Sequence, residues 1–210
     1  MRKHLTKVLL SGGVAALAVG IGATTAMATT ATTWTVKPGG AVTGSAGKTT
    51  LKDTKTGTVL TCASSATKAT LKKGSGLSGT ALGKITSVTF TKCTGPGGLV
   101  FTATTSASKT NPWKLNATSF SGGVTHGSIT GITASISGSG CTATVAGTTA
   151  SSKGKATGTY TNSTHVLKVS GGNLHVWNVS AGCLGLINSG DASTFTGSYK
   201  ITPGQTITSP

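Results

Sequence analysis

Beyond residue 28 the groups able to do acid–base or nucleophilic chemistry are few. Asp53 and Asp191 are the only carboxylate side chains, His126, His165 and His175 the only imidazoles, and Cys62, Cys93, Cys141 and Cys183 the only thiols. A two-carboxylate glycosidase needs both acids on one cleft. Each aspartate lies instead in a turn-like context, Lys52-Asp53-Thr54-Lys55 and Asn188-Ser189-Gly190-Asp191, where the side chain commonly accepts nearby backbone N–H groups. Asp53 reads as a solvated turn residue with local ion pairs. No Gly-x-Ser-x-Gly elbow, His-Glu-x-x-His pair, phosphate loop or dinucleotide fingerprint occurs. The expectation is a protein that is not an enzyme and uses no cofactor. A cryptic hydrolase built on Asp191 or His175 is kept as an alternative.

The four cysteines have an even count and no Cys-x-x-Cys spacing, which favours two disulfides over a metal site. Three pairings are open to four cysteines. Local closure, Cys62 with Cys93 and Cys141 with Cys183, is the expected one, because the chain then divides into two similar units. A faint duplication supports that division: each first cysteine is followed by polar alternation, a Gly-rich break and an apolar run (Ile85 to Phe90, Leu174 to Val179) before the second cysteine.

Charge is the one remaining functional signal. After residue 28 the chain carries 15 lysines against two aspartates, a net charge of +13, with no glutamate and no arginine. Scattered lysine keeps Thr-rich strand edges soluble and unpaired, and it also suits a polyanion. The candidate contacts are Lys72 with Lys73, the only adjacent pair beyond residue 28, and Lys109 with Lys114 beside Trp113, a ring placed to stack on a sugar. The expected partner is an anionic cell-wall polymer or glycan, with nucleic acid a weaker candidate.

These residues need a scaffold and a compartment. Arg2, Lys3, His4 and Lys7, the apolar stretch Val8 to Ile21, and the small-x-small site Ala26-Met27-Ala28 form a secretory signal over 1–28. That leaves an extracellular domain over 29–210, secreted and with no second apolar stretch of spanning length. Helix periodicity is nearly absent there. Thr-rich alternating runs recur near 32–36, 49–53, 57–62, 66–71, 85–92, 99–106, 113–120, 124–136, 141–146, 155–161, 165–170, 173–180 and 194–202. The spacing predicts an all-β fold, an antiparallel sandwich or barrel, possible as two similar disulfide-bonded halves. The parity change between Ile85 and Val88 predicts a bulge or a strand covered on both faces, and Thr94-Gly95-Pro96-Gly97-Gly98 a turn. His175, Trp177 and Val179 form the more apolar face of their run, and Leu77 to Gly83 reads as a loop.

Trp34-Thr-Val36 ahead of Pro38-Gly-Gly, Leu60-Thr-Cys62, Phe90-Thr-Lys-Cys93-Thr-Gly-Pro96, Pro112-Trp113-Lys-Leu115-Asn116-Ala117, and Gly171-Gly-Asn173-Leu174 ahead of Cys183 together resemble the uncharacterised small secreted proteins of high-GC Gram-positive bacteria. That resemblance implies export and a β-rich fold and adds no site residues. The expected function is that of an envelope-associated or polyanion- or glycan-binding protein. A membrane-inserting or pore-forming β protein is the alternative suggested by runs such as Val100 to Ser108.

Overall fold

Sixteen strands account for most of the chain in a computed structural model that describes residues 32–210; the signal expected over 1–28 lies outside the described residues. They are β1 (Thr33–Lys37), β2 (Gly40–Ala46), β3 (Thr49–Asp53), β4 (Val59–Leu71), β5 (Gly74–Ser78), β6 (Gly83–Thr94), β7 (Val100–Thr105) and β8 (Trp113–Ser121). The second eight are β9 (Val124–Ile132), β10 (Ala134–Gly138), β11 (Cys141–Ala146), β12 (Gly154–Thr161), β13 (Val166–Gly172), β14 (Leu174–Trp177), β15 (Ala192–Thr202) and β16 (Thr206–Thr208). Threonine, valine and isoleucine recur in them because a branched β-carbon suits a pleated, half-buried surface.

The pairings close on themselves. β4 pairs with β2 and then β3 along one edge and with β6 along the other. β6 in turn meets β7 and β8, these meet β10 and β9, and these meet β11 and β12. β14 and β13 follow, β15 pairs with both, and its far edge returns to β3 and β2. All these pairings are antiparallel. Five of the barrel's eight staves are therefore made of two consecutive strands end to end, and three are unbroken: β4, β6 and β15. Closure removes the free edges of this sheet.

One end of the barrel is covered by a second sheet, in the order β16-β1-β5, which buries Trp34 (2% exposed), Val36 and Ile207. We call it the plug end. The other is the disulfide end, where the turn after β3, the short 3-10 turn Pro96–Gly98, the β10–β11 turn and the long connection between β14 and β15 gather. Cys62 faces Cys93 directly across β4 and β6, and Cys141 on β11 holds Cys183 in the long connection.

The interior is apolar: Ile85, Val88, Ile136, Val145, Val169, Leu174 and Val176 all point inward and are buried. An eight-stranded barrel is just wide enough for side chains to fill. Ala103, Ala156, Thr49 and Thr67 do not fill it, and cavities of about 100, 90 and 50 Å³ remain, contiguous along the barrel through shared walls.

The all-β expectation holds, and so do the turn at Pro96 and the bulge near Ile85, where Lys68 faces Ser87 but Ala69 faces Ile85. Other expectations are corrected. Two similar halves do not form, because β4, β6 and β15 each run past both segments of a neighbouring stave and leave no boundary; residues Thr32–Pro210 are one unit. The segments 57–62 and 66–71 are one strand. Gly40–Ala46, Gly74–Ser78 and Thr206–Thr208 are strands that the sequence did not suggest, being poor in branched residues or short. On β14 the inward residues are Leu174 and Val176, and His175 and Trp177 face outward, half-buried.

Candidate functional site

Strand register brings together on the outer wall lysines that are far apart in the chain. Thr70 on β4 faces Lys84 on β6, Lys84 faces Lys114 on β8, Lys114 faces Thr130 on β9, and Thr130 faces Lys155 on β12. Three of the five residues in this single outward row carry positive charge, and all three are exposed. Neighbouring strands lie about 4.8 Å apart, so Lys84 and Lys114 are immediate neighbours and Lys155 stands two strands farther on, about 10 Å away. Like charges directly opposite one another destabilise a sheet.

Further lysines flank the row. Lys72 continues the β4 ladder through its backbone N–H to the Leu82 carbonyl at 2.9 Å, which sets it diagonal to Lys84. Lys153, in the loop between β11 and β12, donates from Nζ to Asn111 Oδ1 at 2.9 Å, tying that loop to the one that carries Lys109. Asn116 crosslinks the strands beneath, donating from Nδ2 to Thr130 Oγ1 at 3.1 Å and accepting the Ala81 N–H at 2.9 Å.

Of the residues singled out from the sequence, Lys114 thus belongs to this wall and Lys72 joins it through Lys84, whereas Lys109 is exposed on the loop that Lys153 ties down. Lys73 sits apart, against Gly39 at the plug end. Trp113 is not a stacking platform: it is 6% exposed, lies inside the barrel opposite Ile85, and donates its indole N–H to Ser106 Oγ at 3.1 Å. Being the residue before Lys114 on a strand, it must face the other side of the sheet. Lys84 and Lys155 are not among those residues. Alternation marks them as outward-facing, but nothing local says which strands they will adjoin.

Neither acid stands at the surface among the lysines. Asp53 is 3% exposed and Asp191 4%, so no acidic side chain among the described residues is exposed. Asp53 is not the solvated turn residue expected. Its Oδ1 accepts the N–H groups of Lys55 and Thr56 at 2.9 Å each, folding the turn over its own carboxyl group. The Lys55 ammonium reaches Asp191 Oδ1 instead, at 3.4 Å. Asp191 Oδ2 accepts the Asn188 backbone N–H at 2.9 Å and its Nδ2 at 3.1 Å. Burial acts to raise the Asp191 carboxyl, but the Asn188 hydrogen bonds and Lys55 outweigh it and hold the group below the ordinary carboxylate range.

Two of the imidazoles have other occupations. His165 lies at the plug end with Nδ1 3.3 Å from Tyr160 Oη, and that hydroxyl donates to the Gln205 carbonyl at 2.8 Å. His175 Nδ1 is 3.1 Å from the Asn173 carbonyl and its ring stacks on Trp177. Burial also pushes the Tyr199 phenol up, against the lowering effect of its hydrogen bond with Ser65 at 2.9 Å. Compared with protein-family models, with curated proteins and with solved structures, the chain matches none.

Proposed function

We propose that this protein is a secreted, non-enzymatic barrel that binds an anionic polymer of the cell envelope along its lysine wall. The observation that carries the reading is the Lys84–Lys114–Lys155 row, in which register aligns like charges that an arrangement serving only solubility would keep apart. Burial of both carboxylates leaves the surface around the row without a competing acidic side chain. Two intramolecular disulfides fit an oxidising, extracellular setting. Polymers with a charge on every repeat, phosphodiester chains or polyuronates, suit a linear row of cations. The pore-forming alternative is less well supported: a membrane barrel shows apolar residues outside and polar ones within, and this one has lysine and threonine outside and an apolar interior.

The test is binding of the protein to a polyphosphodiester and to a polyuronate across a salt series. Each phosphate neutralised on a single-stranded polymer contributes about 0.7 to the log–log salt slope. Replacing Lys84, Lys114 and Lys155 together by Gln should make that slope shallower by about 2 units. The control triple Lys52→Gln, Lys92→Gln and Lys168→Gln removes the same charge elsewhere and should weaken binding far less. Equal losses from the two triples would refute a site in favour of a diffuse field.

A further inference from the structure

At the disulfide end a cavity of about 50 Å³ is lined by Leu51, Leu60, Phe101, Ile136, Val176 and Ile187 together with Thr58 and two polar residues of adjoining strands, Asp53 and Ser193. Those two are direct register partners across β3 and β15 and are more than nine-tenths buried. Asp53 Oδ1 is occupied by the two turn N–H groups, whereas Asp53 Oδ2 and Ser193 Oγ have no hydrogen-bond partner. Leaving a buried polar group unpaired is costly, and more so if it is charged. Lys55, whose backbone N–H binds Asp53 Oδ1, sends its ammonium to Asp191 instead. Thr49 Oγ1 and Thr125 Oγ1 are also unpartnered, each as a lone hydroxyl in the wall of a larger cavity. Among the described residues, only at the disulfide end do two residues with such oxygens, one of them a carboxyl group, line one apolar space.

We infer that this end of the barrel binds a small primary amine with an apolar body, its ammonium on Asp53 Oδ2 and Ser193 Oγ and its body directed along the barrel axis. An ammonium carries three donors and no acceptor, which answers an acceptor pair, and its charge complements the carboxyl group. Leu51, Leu60 and Ile136 also line the adjoining cavity of about 100 Å³, so the apolar track continues past the head-group position. An apolar cavity of about 150 Å³ suffices for benzene, which sets the scale of the body at a short alkyl chain or a single ring. The protein's positive charge sharpens the inference, because a general electrostatic field would repel an amine and attract its carboxylate analogue.

Hexylamine, hexan-1-ol and hexanoate are the probes, titrated at pH 7 and followed by the methyl resonances of Leu51, Leu60, Ile136 and Ile187. Saturable shifts are expected with hexylamine, with at least tenfold weaker binding of hexanol and none of hexanoate. Asp53→Asn keeps the Oδ1 acceptor that folds the turn while removing the charge; it should weaken hexylamine at least tenfold and bring it level with hexanol. Absence of saturable shifts, as when water alone meets Oδ2, would overturn the proposal. So would equal affinity for amine and alcohol, or an Asp53→Asn variant that binds hexylamine unchanged. Should that variant fail to fold, the ranking of the three probes on the native protein decides.

Discussion

If the lysine row is kept against its electrostatic cost, removing one charge should stabilise the fold while weakening polymer binding. Lys84 and Lys114 are paired directly across β6 and β8, and both are exposed. With their ammonium groups splayed to about 7 Å in a water-like dielectric, Coulomb's law gives about 0.6 kcal/mol of repulsion, within the range of about 0.2–1 kcal/mol for cross-strand pairs. Lys84→Gln and Lys114→Gln should therefore each add about 0.5 kcal/mol at 10 mM salt, or about 1–2 °C in thermal midpoint. The double variant should gain no second increment from this pair, leaving a coupling of similar size in the double-mutant cycle. At 1 M salt the screening length falls to about 3 Å and the gain should vanish. Urea unfolding of the four proteins at both salts measures it, with unchanged slopes confirming that stability alone has moved. Single variants that are destabilised at low salt, or gains that persist at 1 M salt, would refute the view that the row is strained.

Three further outcomes are expected. Opening Cys141–Cys183, which closes 42 residues, should cost about 4 kcal/mol on the loop-entropy scale, and Cys141→Ser with Cys183→Ser should render the β14–β15 connection the first site of limited proteolysis. Acid should do little until low pH: a depressed carboxyl stabilises the fold above its unfolded pKa and loses that contribution as pH falls through its folded value, so the Asp191 effect is confined below about pH 4. Thermal midpoints at pH 7 and pH 3 should differ by less than about 15 °C, and Asp191→Asn should flatten the remaining slope; a larger fall would mean that another group dominates. Trp34→Ala, removing the largest ring of the plug, should cost about 3–5 kcal/mol and leave salt-dependent polymer binding intact, which separates the plug from the lysine wall.

Much of the wall pattern was legible because alternation is local. Trp113 inward and Lys114 outward follow from neighbouring positions on one strand, although a tryptophan between lysines also reads as a surface contact. The Ile85–Val88 bulge showed as a break in parity, and the two disulfides as short closures. The misreadings have physical causes. Gly40–Ala46 lacks strand propensity and is a strand because β4 and β15 hold it on both edges. Asp53 lies between lysines and so reads as solvated, yet its turn folds back over the carboxyl group and Ser193 arrives from the far side of the chain.

The amino-acid sequence alone determined the charge excess, the scarcity of catalytic groups, the β-rich class and the inward or outward face of many residues, since these depend on composition and on a period of two. Tertiary structure alone decided that the staves close into one barrel, that Lys84, Lys114 and Lys155 share a row, and that Asp53 faces Ser193. Those facts rest on register, and register between strands is set by bulges, turn lengths and closure acting over the whole sheet, so that no single segment carries them.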